Sequence, residues 1–254
     1  MPRFNRYVAI GDSTSEGLDD PDGRGGYRGW ANRLAERIAS QQGGLLYANL
    51  AIRGRTTRQI REEQLAPALA MKPDLATVVA GTNDVLRRRF DPHSFGADLE
   101  AMQKALIDQG ATVLTFTLPD LTPVMPLARI LGKRVFVLND VIRATCAKTG
   151  AILCDLAAHP VASDPRLWSD DRLHANSVGH ARIAEGLAYH LGLPDTDQSW
   201  ADPLPDPPPP RFGDGLRAEV AWARRHLLPW IWRHLRGKSS GDGRGPKRPR
   251  LEAV

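Results

Sequence analysis

Tyr7-Val8-Ala9-Ile10-Gly11-Asp12-Ser13-Thr14-Ser15-Glu16-Gly17 sets a pattern that recurs along the chain. Four apolar residues run straight into a turn of glycine and small polar residues, as a short buried strand does where it leaves a sheet. Working outward, further runs of this kind stand at residues 45–51, 75–80, 112–118 and 151–156. Stretches of helical period separate them, near residues 29–40, 57–70, 94–109, 135–149 and 177–191. In the first of these, Trp30, Leu34 and Ile38 recur at every fourth position while Arg33, Glu36 and Arg37 take the other side, so one face is made for a sheet. Alternating strand and helix predicts an α/β fold, a parallel sheet of about five strands with helices on both faces and right-handed crossovers.

The 254 residues are 42% hydrophobic and 25% charged, which fits one large domain plus an appendage and excludes collagen, a disulfide scaffold and wholesale disorder. Cys146 and Cys154 read as core thiols rather than a bridge. Charge is uneven. Residues 211–254 hold 11 Lys or Arg against 4 Asp or Glu, a net of +7, whereas residues 1–210 hold 23 against 25, a net of −2. The basicity belongs to the tail, and no nucleic-acid partner is expected for the domain.

Asn176 and the residues after it read as the capped start of a last core helix, which places the domain at residues 1–194. Residues 195–212 read as a Pro-rich linker, since six of the nine residues in 202–210 are Pro and supply no backbone donor. Residues 213–236 read as a basic amphipathic helical segment carrying Trp222, Trp230 and Trp232. Residues 216–236 either lie on an anionic membrane surface or fold back onto the domain or a second subunit. Residues 237–254 are expected to be a disordered basic tail, with Lys247-Arg248-Pro249-Arg250 resembling a targeting patch. The N-terminal residues lack a signal-peptide pattern and no window nears about 18 apolar residues, so a cytoplasmic location is expected.

A ligand site in an open parallel sheet lies beyond the carboxyl ends of its strands. Four of the five expected strand ends lead into polar residues: Gly11-Asp12-Ser13, Arg53-Gly54-Arg55, Gly81-Thr82-Asn83-Asp84 and, through a loop, Asp170-Asp171-Arg172-Leu173-His174. Singly, each is an ordinary turn or helix cap. Together at one edge they supply what acyl transfer needs: a nucleophile, a base, a group to orient the base, and donors for a developing oxyanion. Ser13 is the candidate nucleophile and His174 the base, because an imidazole with an ordinary pKa near 6.5 shuttles protons at neutral pH. Asp171 and Asp170 compete to orient it, and spacing alone does not choose between them. The Ser13 and Gly54 backbone N–H groups and the Asn83 side-chain amide form the candidate oxyanion hole, Gly54 because it lacks Cβ and tolerates positive φ. Asp12 is expected to tie down neighbouring loops rather than to react.

In combination, Gly11-Asp12-Ser13, Gly54, Gly81-Thr82-Asn83-Asp84 and Asp171-Arg172-Leu173-His174 resemble the four blocks of the SGNH, or GDSL, hydrolase family, over about residues 6–193. The resemblance implies a flavodoxin-like three-layer α/β/α fold, no metal, no organic cofactor, and a Ser13–His174–Asp171 triad in which the Asp three positions before the His is chosen over Asp170. It also implies the oxyanion assignments of Ser13, Gly54 and Asn83, with a small acyl ester as substrate. Thr14 departs from the Leu that often follows the family's Ser, a change expected to alter loop packing only.

Three functions compete: hydrolysis of carboxylic esters through an acyl-enzyme on Ser13, acyl transfer to another alcohol by the same triad, and a non-catalytic adaptor that binds an acylated ligand and is recruited through its tail. The connection over residues 119–133, with Leu121, Val124, Met125, Leu127, Ile130 and Leu131, walls an acyl pocket, fills core, or meets a second subunit. Tyr27 and Arg87 to Arg89 stand near the same edge, where an alcohol or acidic group would enter.

Overall fold

Tyr7 to Gly11 are all buried, and they form strand β1 (Arg6–Gly11) in the middle of the molecule. The computed structural model describes residues 3–124, 129–206, 222, 224–225 and 240–254. The parallel partners of β1 are β2 (Leu46–Asn49) on one side and β3 (Leu75–Val79) on the other, with β4 (Thr112–Phe116) and β5 (Ile152–Cys154) continuing outward from β3. Ala9 sets the register between its neighbours, standing beside Asn49 on β2 and Thr77 on β3. A sixth strand, β6 (Arg248–Ala253), lies antiparallel on the outer edge of β2, so the order is β5-β4-β3-β1-β2-β6. The parallel part has the flavodoxin-like order, whose direction of winding switches between β1 and β3 and leaves a crevice at their carboxyl ends.

Helices cover both faces. Short α1 (Ser13–Glu16) and α4 (Thr82–Leu86) follow β1 and β3 directly, and α2 (Gly29–Gln42), α3 (Thr57–Ala70), α5 (Pro92–Asp108), α6 (Arg129–Thr149) and α7 (Ser177–His190) make the outer layers. On one face, α2 and α7 enclose Trp30, Leu34, Ile38 and Leu187 over Tyr7, Leu75 and Leu114. Trp30 stacks edge-on against Phe116 with ring centroids 5.4 Å apart. On the other, α3, α5 and α6 bury Ile60, Leu99, Met102 and Leu138 against Val8, Ile10 and Val78. Cys146 and Cys154 are buried free thiols, their pKa values pushed up to about 11 and about 12 by burial. Gly17 and Gly29 meet back to back: a Cβ on either would come within about 2.5 Å of the other's Cα, so only glycine lets the loop after α1 close onto the start of α2.

Three expectations about organisation need correction. The five parallel strands are present as expected, but Arg248–Ala253, expected to be disordered, adds a sixth, antiparallel strand to β2. Its alternation is masked by Pro249 and three charged residues, a composition that suits an exposed sheet edge as well as a disordered tail. Lys247 anchors its start by donating to the carbonyls of Tyr27 and Arg28 at 2.9 Å each, and burial pushes its pKa down to about 8. The connection after β4 is shorter than residues 119–133, since α6 already begins at Arg129. The domain also runs past residue 194, because Trp200 in a 3-10 turn (Gln198–Ala201) is buried against Gly186 and the rings of His159 and His190. Most of the expected helical segment at 213–236 lies outside the described residues.

Trp200→Ala is therefore expected to cost about 3–5 kcal/mol, the range for truncating a buried aromatic. Urea unfolding of the full chain measures it. A midpoint unchanged from the parent would return residues 195–206 to the status of a linker.

Candidate active site

Four loops at the carboxyl edge of the sheet meet over β1 and β3. Where β1 ends, Asp12 takes an extended backbone and caps α1, its Oδ1 accepting the Thr14 N–H at 3.0 Å. Ser13 is thereby fixed as the first residue of the helix and is 7% exposed. Across the crevice, the loop before α7 closes on itself through a Trp168–Ala175 bridge, with the Ser169 N–H donating to the His174 carbonyl at 2.9 Å. That reversal turns Asp171 back on His174. Asp171 Oδ1 accepts the N–H groups of Leu173 and His174 at 2.9 and 3.0 Å, which leaves Oδ2 facing the His174 ring, 2.6 Å from Nδ1. The other ring nitrogen, Nε2, is 2.9 Å from Ser13 Oγ. Asp170, the alternative on spacing alone, is exposed.

A carboxylate only accepts, so Nδ1 carries the ring hydrogen and Nε2 is left to accept from the Ser13 hydroxyl. Burial disfavours a charged imidazole, but the Asp171 hydrogen bond and charge, followed by the charges of Asp19 and Asp12, outweigh it and raise the His174 pKa above 6.5. Burial likewise pushes Asp171 upward. The His174 bond and charge dominate there and hold its carboxyl far below the usual carboxylate range.

Gly54 has φ 76°, the left-handed backbone that favours glycine. Its neighbours hold it from both sides. Arg53 donates its N–H to Glu16 Oε2 at 2.9 Å and forms a half-buried ion pair with the same carboxylate, and the Arg55 carbonyl accepts from Asn83 Nδ2 at 3.1 Å. The second hydrogen of the Asn83 amide goes to Asp12 Oδ2 at 3.0 Å. Both hydrogens of this amide thus have protein acceptors, a feature that the spacing of the blocks did not reveal. Asp12 is fully buried, and burial lifts its pKa to about 6; above that pH it is an acceptor that aims Asn83. Asp84, from the same block as Asn83, accepts the N–H and hydroxyl of Thr57 at 3.0 and 2.8 Å and so pins the start of α3.

Two residues escaped the sequence reading. Ser169 Oγ lies 2.7 Å from Asp171 Oδ1 and 2.6 Å from Asp19 Oδ2, and Asp19 Oδ2 is 3.9 Å from His174 Nδ1. Leu18-Asp19-Asp20-Pro21 reads as a turn, and only the closure of Gly17 on Gly29 brings it back to the ring. Among the described residues, Asp19, Asp171 and His174 are the group whose ligand atoms lie close enough, within 4.8 Å, to hold a metal ion. A cation there would compete for the ring nitrogen that already lies 2.6 Å from Asp171 Oδ2.

An apolar cavity opens beside the relay. Thr14 and His174 line it together with Leu118, Leu121, Leu131 and Val135. Leu121 and Leu131 of the connection after β4 thus wall the cavity, and Val124 is buried. Met125, Leu127 and the Ile130 side chain lie outside the described residues. Tyr27 packs under the Arg53 guanidinium, 5.3 Å from ring centroid to Cζ, and the carbonyls of Arg87 and Arg88 accept from Arg134. Trp222 lies under the Arg172 guanidinium at 4.7 Å, which puts this point of the C-terminal stretch against the loop that carries His174. No helix among the described residues is long and apolar enough to cross a membrane.

Residues 9–182 match the GDSL-like lipase/acylhydrolase family. The chain is 27% identical over 199 residues to a GDSL lipase of Mycobacterium tuberculosis, covering 75% of this chain and 83% of that one. It is 23% identical over 211 residues to an acetylxylan esterase of Geobacillus stearothermophilus, covering 74% and 94%. Among solved structures it resembles an α/β hydrolase from the metagenome of Lake Arreo, Spain, with a TM-score of 0.64 at 21% identity over 76% of this chain and 97% of that one.

Proposed function

The chain belongs to the GDSL-like lipase/acylhydrolase family, and from that premise we propose that it cleaves carboxylic esters through an acyl-enzyme on Ser13. The observation that supports this most is the unbroken line of contacts from Ser13 Oγ through His174 to Asp171. As the Ser13 oxygen attacks the acyl carbon, its proton passes to His174 Nε2, and the imidazolium that forms is stabilised by Asp171 across Nδ1. The carbonyl oxygen becomes an alkoxide facing the N–H groups of Ser13 and Gly54. Asn83 keeps its bond to Asp12 and turns the hydrogen now given to Arg55 toward that oxygen. Collapse breaks the bond to the alcohol, whose oxygen takes the proton from Nε2. Water then attacks the acyl carbon with His174 as base, the acid leaves, and the proton returns to Ser13.

The apolar walls of the cavity favour an acyl chain longer than acetyl. Each methylene taken from water is worth about 0.8 kcal/mol, roughly fourfold in kcat/KM, until the cavity is full.

Two measurements test the proposal. A fluorophosphonate probe should add to the peptide bearing Ser13 in the folded full chain and to nothing in Ser13→Ala. Across p-nitrophenyl esters from acetate to palmitate, kcat/KM should climb with chain length and then level off. Folded protein that resists the probe would end the acyl-enzyme reading, and a series that is highest at acetate would end the assignment of the cavity.

A further inference from the structure

We propose that Asp19 is a second carboxylate of the relay, a positioning residue that Ser169 holds beside the His174 ring so that the imidazolium formed during attack faces two negative charges instead of one. The inference rests on the ester-hydrolase reading above and extends it to residues that the family resemblance does not single out.

Three features carry it. Asp19 Oδ2 stands 3.9 Å from His174 Nδ1, the nitrogen that Asp171 Oδ2 approaches at 2.6 Å, so both carboxylates address the same edge of the ring. Ser169 joins them, with Oγ 2.6 Å from Asp19 and 2.7 Å from Asp171. A hydroxyl has one hydrogen to give, so Ser169 donates to one carboxylate at a time while its position ties the two together. Finally, Asp19 has φ 66°, a left-handed conformation that Asp and Asn enter more readily than other residues with a Cβ. The neighbouring Asp20 is committed elsewhere, accepting the Gly29 N–H and a two-toothed bond from Arg33, which fixes the loop that aims Asp19.

Among the described residues, several charged and titratable groups surround the ring, and Arg172 of the same loop lies over the Trp222 ring. Asp171 approaches from its own loop, Asp19 from the loop after α1, Asp12 from the end of β1, and His180 from α7. His180 is buried between the Trp30 N–H and the Leu18 carbonyl, and burial drives its pKa down to about 4, so it stays neutral. Among the described residues, His180 therefore adds no positive charge beside the ring to cancel Asp19. Its side chain is 36% exposed, so water weakens its field more than that of Asp171.

The test is Asp19→Asn, which keeps the shape, an acceptor for Ser169 and tolerance of the left-handed backbone while removing the charge. Loss of a negative charge beside the ring lowers the imidazole pKa. The acid limb of kcat/KM should move down by about one pH unit and the plateau fall roughly tenfold, since one pKa unit is a factor of ten. KM should hardly change. Ser169→Ala, which frees Asp19 from the ring, should give a shift of the same sign. In Ser13→Ala protein, the His174 ring-proton NMR titration should move in the same direction when Asp19→Asn is added. A merely structural Asp19 would lower the melting temperature and leave both the acid limb and the NMR titration in place, which would overturn the proposal. An unlabelled Ser13 in the fluorophosphonate experiment would instead overturn the reading on which it rests.

Discussion

Replacing Ser13 with alanine is expected to lower kcat by about 10⁵- to 10⁶-fold while KM stays within a few-fold, with His174→Ala giving a loss of similar size. The two substitutions together should cost no more than either alone. The reason is geometric. In the proposed mechanism one proton moves along one line from Oγ to Nε2, so removing either end of the 2.9 Å contact removes the same step, and the second removal has nothing left to take. On the proposed mechanism, what survives is the stabilisation from the donors at Gly54 and Asn83, which act without the nucleophile. Steady-state kinetics on a p-nitrophenyl ester, with melting temperatures compared, decides it. A Ser13→Ala protein within about a hundredfold of the parent would mean that another group attacks. Additive losses would mean that Ser13 and His174 act separately.

The arrangement of the candidate site was legible in the sequence to the extent that it is carried by local blocks. Gly11-Asp12-Ser13, Gly54, Asn83 and Asp171 to His174 each lie just beyond a strand end or in the loop before the last core helix, and a parallel sheet brings all such positions to one edge. The period of Trp30, Leu34 and Ile38 was equally plain, because a helix buried on one side must repeat its apolar residues. What depended on long-range closure was not legible. Asp19 reaches the ring only because Gly17 and Gly29 touch, and Asn83 meets Asp12 because only Ala80 and Gly81 separate β3 from α4. Trp200 and Arg248–Ala253 were missed for a different reason. An edge strand with Pro and charges, and a lone anchor beside a Pro-rich run, have the composition of a disordered chain, and their order comes from what they pack on.

Asp171→Asn is expected to lower kcat by about 10⁴-fold with little change in fold, and the direction follows from how the carboxylate is shared. Oδ1 accepts the N–H groups of Leu173 and His174, while Oδ2 accepts the ring hydrogen from Nδ1. An asparagine has one oxygen for these two duties. Two backbone donors hold that oxygen at the Oδ1 position, so the NH₂ group falls where Oδ2 was and donates to Nδ1. The ring must then carry its hydrogen on Nε2, which points a donor at Ser13 where an acceptor is needed. Stability supplies an independent reading. The raised His174 pKa means that the pair stabilises the fold fully below the unfolded histidine's pKa and loses this as pH rises through the folded value. The lowered Asp171 pKa means that its share is present above the unfolded carboxyl's pKa and is lost as pH falls toward the folded one. Between about pH 4 and 6.5, where both charges are present, the parent should therefore exceed Asp171→Asn in melting temperature by its widest margin, narrowing by pH 9. A margin that widens toward pH 9 would show that the stabilising partner of Asp171 is something other than the His174 imidazolium.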